Sequence, residues 1–232
     1  MFSRNKKRKF NQLSFSESNI DSNTESNTNM GEKPNKARRI YEEAILGNPD
    51  IYTIGNEVHF SASITKDTIE ELIRQVSVIV YAHQQKHKNS SDMPELNIIY
   101  IVDSGGGSLT STFKCIDFFN LLKEKHSYIK FTSICTGMVA SAGTLLCAVA
   151  DKCFITKNCH AMVHELSSSH GYSKYFQILS NVKFIRMLHK KLVKIYCNKT
   201  GKSVEEIEFL LGKEQWFSAK QYLKHGFVDA IK

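Results

Sequence analysis

Two residues carry types that together can do nucleophilic chemistry: Ser141, in GMVASAGTLL (137–146), and His164, in AMVHE (161–165), 23 residues further on. A serine with small neighbours, where a strand gives way to a helix, serves either as a helix N-cap or as a nucleophile. At a helix entry its surroundings hold unpaired amides that stabilise negative charge, which acyl transfer needs at its tetrahedral intermediate. A histidine at the end of the next strand can take the serine proton and return it to a leaving amine. The bland reading of such a histidine is a satisfied polar residue.

A second candidate lies one unit upstream. DSGGGS (103–108) is a glycine run between a strand and a helix, and its bare amides can close on an anion or a carbonyl oxygen. Two other patterns carry less. Cys153, Cys159, His160 and His164 are residue types that bind zinc, but a strand through Met162 and Val163 would send alternate side chains to opposite faces. NKTGKS (198–203) follows a helix instead of a strand and has Tyr196 where a phosphate-binding loop needs its first glycine.

The elements that must hold these residues alternate. A short strand with Val58 and Phe60 precedes a helix whose Ile69, Leu72, Ile73, Val76, Ile79 and Val80 form one face. NIIYIV (97–102) reads as a strand buried on both faces. The glycine turn then opens a helix with Leu109, Phe113, Ile116 and Leu121, and IKFTSIC (129–135) is the next strand. Strand, helix, strand at this spacing is a βαβ unit, so the fold class is α/β with a parallel sheet. A long helix is expected over 172–198. Capping boxes follow at Ser203 with Glu206 and at Ser218 with Gln221, closed by Gly212 and Gly226, before a terminal strand FVDAI.

Composition bounds the rest. A chain of 232 residues with 41% hydrophobic and 23% charged residues fits one globular domain. Residues 1–40 are rich in Ser, Asn and Thr without apolar periodicity, so they read as a disordered tail, leaving a domain over 41–232. Residues 1–39 hold nine basic and four acidic residues, a net +5 of the chain's +8, so the folded part is nearly neutral, which argues against nucleic acid as a partner. The basic run at residues 6–9 could serve nuclear import. No apolar run reaches the roughly 20 residues of a membrane span, and the first residues lack a secretory pattern. A cytoplasmic protein with six reduced cysteines is the expectation.

The order of these segments resembles the proteolytic subunit of the Clp protease (ClpP), within the crotonase-like superfamily. YIVDSGGGSLT (100–110) is similar to that family's strand and glycine turn, SICTGMVASAG (133–143) to its nucleophile segment, and AMVHE to its histidine segment. The similarity runs from about Glu57 to Ile231. Gly105, Met138, Ala142 and the sequence HEL depart from the usual residues, and the stretch from Gly107 to Ser141 is longer.

The resemblance implies stacked βαβ units with a long handle helix between rings. It assigns Ser141 as nucleophile, His164 as general base, Glu214 as the acid that orients it, and the amides of Gly107 and Ala142 as the oxyanion hole. It further implies a serine endopeptidase acting on unfolded polypeptides, homo-oligomeric rings fed by an ATP-driven unfoldase, and no cofactor or metal. Two alternatives keep the same fold: a catalytically impaired ring subunit, and a crotonase-type acyl-CoA enzyme, which has no need of a serine and histidine together.

Overall fold

The computed structural model describes residues 49–168 and 174–232. The expected tail over 1–40, with its basic run at 6–9, lies outside them. Strands β1 (Ile51–Ile54) and β2 (Glu57–Phe60) form an antiparallel hairpin around Gly55. Helix α1 (Lys66–Lys86) follows, started by a capping box in which the Thr65 side chain accepts from the Thr68 amide and Thr68 reciprocates. Its expected apolar face is buried at Ile69, Leu72, Val76, Ile79 and Val80.

Strand β3 (Leu96–Ser104) leads through the glycine turn to α2 (Leu109–Lys125), and β4 (Ile129–Ala140) returns parallel to β3. This is the anticipated βαβ unit. Its details differ from expectation in two places. Along β3 full burial alternates with partial burial, because only the face bearing Ile98, Tyr100 and Val102 meets the core. Leu121 of α2 is exposed, since the buried face of that helix runs through Thr112, Cys115, Ile116 and Phe119 instead.

The short helix α3 (Ala142–Ala148) is followed by β5 (Lys152–Ile155) and β6 (His160–Val163). The long helix α4 spans Tyr175–Thr200 and ends on Gly201 in the left-handed conformation; residue 172, where the sequence pattern would start it, is outside the described residues. Both predicted capping boxes form, at the starts of α5 (Val204–Leu211) and α6 (Ala219–Lys224). Between them runs β7 (Gln215–Ser218). The terminal strand β8 is only Ala230–Ile231, because Phe227 and Val228 are spent on packing before it.

The sheet has the order β1-β2-β3-β4-β5-β8, parallel except for the first hairpin. The twelve-residue β4 forks: Thr132–Cys135 pairs with β5, and Met138–Ala140 pairs with β6, which in turn pairs antiparallel with β7. Gly137, at φ 54°, sits at the fork. A Cβ there would lie 2.5 Å from the Asp103 carboxylate, whose Oδ1 accepts the Met138 amide at 3.0 Å. Glycine at 137 thus lets β4 bend and lets Asp103 pin the bend. Aromatic rings fill the space beneath: Tyr100, Phe119 and Phe131 under the main sheet, and Tyr196, Phe217, Tyr222 and Phe227 under the β6–β7 wing. All six cysteines are thiols, five of them buried.

Candidate active site

The fork decides what meets what. Parallel neighbours end on the same side of a sheet, and Ala140 of β4 pairs with Met162 of β6. Ser141 and His164 therefore leave the same edge one after the other, and the Ser141 amide continues the ladder by donating to the Met162 carbonyl at 2.9 Å. Across that edge Ser141 Oγ and His164 Nε2 lie 2.7 Å apart. Both side chains are half-buried at the mouth of a cleft of about 420 Å³ between α3, α4 and the segment after β6.

Ser141 does not cap α3 with its side chain. Its backbone stands at φ 54°, ψ −128°, a region few side-chain-bearing residues occupy. A sharp strand-to-helix turn of this kind thrusts the hydroxyl outward from the sheet edge. Gly106 makes room for it. A Cβ at 106 would fall 2.6 Å from the Ser141 Cβ and 3.0 Å from the Ala142 nitrogen. The buried Ser104 hydroxyl fixes the turn by donating to the Ala62 carbonyl and accepting from the Gly106 amide.

Gly107 and Ala142, whose amides are expected to face an oxyanion, both line this cleft. Ile64 bridges the glycine turn: its amide donates to the Gly106 carbonyl, and its carbonyl accepts from the Ser108 amide. Those two groups face Ile64, and Gly107 between them lines the cleft. Ala142 opens α3, and its amide belongs to the first turn, which has no carbonyl of its own helix to bond.

The fifth expected residue is placed differently. Strand pairing sets Gln215, the neighbour of Glu214, opposite Val163, the neighbour of His164, and ends there. Glu214 is exposed, turns through φ 47°, and among the described residues its side chain makes no hydrogen bond or ion pair. The pairing thus stops one residue short of Glu214 and His164, and no bond joins the carboxylate to the imidazole. Nor do Cys153, Cys159 and His160 join His164: the two thiols are buried and His160 is exposed. Among the described residues no three His, Cys, Asp or Glu side chains converge.

Some parts of the site have no signature in the sequence. The cleft wall comes from α4, through Phe184, Ile185, Leu188 and Leu192, which as a pattern are only apolar helix positions. Asp103, Ser104 and the buried pair Thr144 and Tyr196 hold the turns and look like ordinary polar or aromatic residues in a strand or helix.

Comparison with known proteins agrees with this geometry. A family model described as Clp protease matches residues 56–232. The ATP-dependent Clp protease proteolytic subunit 1 of Chlamydia trachomatis serovar D is 24% identical over 204 residues, which cover 87% of this chain and 95% of that protein. The protein of the same name from Chlamydia abortus is 25% identical over the same shares of both chains. With a family match across nearly all the described residues, and serine and histidine brought together at one sheet edge, the chain belongs to the Clp protease family as a divergent, Clp-like serine peptidase.

Proposed function

We propose that the chain is a serine endopeptidase that cleaves unfolded polypeptides through a Ser141 acyl-enzyme. The observation that carries the reading is the 2.7 Å contact between Ser141 Oγ and His164 Nε2 at the mouth of a cleft. Ser141 Oγ attacks the scissile carbonyl carbon while His164 takes its proton. The carbonyl oxygen becomes an oxyanion facing the Gly107 and Ala142 amides. Collapse of the intermediate breaks the C–N bond, and His164 delivers its proton to the leaving amine. Water, deprotonated by the same imidazole, then attacks the ester and releases Ser141.

Glu214 is the acid in this reading. A rotation of its side chain from solvent toward the Nδ1 side of His164 would orient the ring and stabilise its charged form. The apolar wall of the cleft suits an apolar side chain next to the scissile bond. Homo-oligomeric rings and an ATP-driven unfoldase complete the proposal, supported by the relatives' ATP-dependent name and by the exposed apolar first half of α4. A cytoplasmic site fits the thiols, and no helix among the described residues is long and apolar enough to cross a membrane.

The outward carboxylate of Glu214 favours one other reading, a ring subunit that keeps the fold and turns over poorly. Hydrolysis of fluorogenic peptides with apolar side chains separates the two. Wild-type protein should cleave them, and Ser141→Ala and His164→Ala should each reduce the rate to background. A wild type no faster than Ser141→Ala would favour the impaired subunit.

A further inference from the structure

Ser141 holds an unfavourable backbone conformation, and something must keep it there. Its amide is tied to Met162. Its carbonyl is tied by Thr144 twice, through the amide at 3.0 Å and through Oγ1 at 2.6 Å. Thr144 is fully buried, and its Oγ1 also lies 2.6 Å from the hydroxyl of Tyr196, itself almost completely buried on α4.

Counting protons fixes the direction of this chain. A threonine hydroxyl has one hydrogen, and the Ser141 carbonyl has none to offer. Thr144 must therefore donate to the carbonyl, which leaves its lone pairs to accept from Tyr196. Burial pushes the Tyr196 hydroxyl pKa up, so it stays a neutral donor. The run is Tyr196 O–H to Thr144 Oγ1, then Thr144 O–H to Ser141 C=O. Donation to Thr144 makes the threonine hydroxyl a better donor in turn.

We propose that Thr144 and Tyr196 are positioning residues for the nucleophile: together they clamp the Ser141 carbonyl, holding the strained turn that aims Oγ at His164. The proposal rests on Ser141 being the nucleophile. Tyr196 also lines the cleft, so α4 supplies both a wall for substrate and the far end of the clamp. A bland alternative exists, that the pair merely satisfies two buried hydroxyls and fastens α4 to α3.

The test compares Tyr196→Phe, Thr144→Val, Thr144→Ser and the Phe and Val double variant, each assayed well below its melting temperature. Misplacement of a reacting atom by about 1 Å can cost on the order of 100-fold. The clamp predicts that kcat falls about ten-fold or more in Tyr196→Phe and further in Thr144→Val, with KM within about two-fold. Thr144→Ser, which keeps the hydroxyl, should recover most of the rate. The double variant should be no slower than Thr144→Val alone, because the bonds act in series. A loss of thermal stability with kcat unchanged, or a change confined to KM, would overturn the proposal in favour of fastening or lining. Amide hydrogen exchange over residues 137–148 gives a readout that needs no activity. Faster exchange there in Thr144→Val and Tyr196→Phe is expected, and unchanged exchange would overturn the clamp. A wild type inert to peptides and to a serine-reactive probe would refute the function proposed above; the exchange result would still decide whether the clamp exists.

Discussion

At Glu214 and Ser141 the chain adopts positive φ without glycine, at 47° and 54°. Such conformations cost on the order of 1–3 kcal/mol each. Ser141→Gly should therefore melt above Ser141→Ala, by about 2–4 °C per kcal/mol for a domain of this size, measured calorimetrically. Equal melting temperatures would mean that the turn carries no strain. If Glu214 swings in to orient His164, Glu214→Gln should fold normally and lose roughly 100-fold or more in peptide turnover, since an amide neither holds the tautomer nor stabilises the imidazolium. Near-normal turnover would reject Glu214 and leave a Ser141–His164 dyad. Ser141, His164 and the glycine turn were legible in the sequence because their chemical types are scarce in packed strands. The clamp was not, because Thr144 and Tyr196 are 52 positions apart and each reads as core.

Among the elements, β4 explains most of the site. Its first half reads plainly as a strand, but the fork at Gly137 depends on a long-range contact with Asp103, which no local pattern announces. The capping boxes were legible to the residue because capping is a local exchange of hydrogen bonds. At the end of the chain FVDAI reads as a five-residue strand, but only Ala230 and Ile231 pair. There Asp229 does the fastening: its carboxylate accepts the Cys153 amide at 2.7 Å and pairs with Lys199 at 2.8 Å, joining β5, α4 and the last strand. Partial burial opposes its ionisation, but Lys199 and the Cys153 amide outweigh it and hold the Asp229 pKa below the ordinary 3.8. A depressed carboxylate stabilises the fold above its unfolded pKa, and that contribution disappears as pH falls through the folded one. Asp229→Asn should cost about 1 kcal/mol at neutral pH, a modest figure because the group is half-exposed, and the gap to wild type should narrow below about pH 4. A gap that persists at acid pH would assign the loss to packing.

For the whole molecule the telling feature is the first half of α4, where Tyr175, Phe176, Ile178, Leu179, Val182, Phe184 and Met187 are all exposed. The sequence shows too many apolar positions on that helix for one core stripe, and the structure shows which of them the domain leaves uncovered. Ile185, which a helical wheel would place with Ile178, is instead half-buried along the cleft. Ile178 and Val182, one turn apart, are the better pair for a test. If this face joins copies of the chain, Ile178→Glu with Val182→Glu should reduce the mass found by light scattering while leaving the fold intact by circular dichroism. An unchanged mass would free this face from assembly.

The central claim is that Ser141 is an activated nucleophile, and one measurement meets it directly: intact-mass and peptide mapping after treatment with a fluorophosphonate probe. Ordinary serines are unreactive to such a probe, because the reaction needs a base to take the proton and donors for the developing charge. The account predicts a single adduct, on Ser141, absent from Ser141→Ala and from His164→Ala. No adduct on the wild-type protein, or labelling that survives Ser141→Ala, would contradict it.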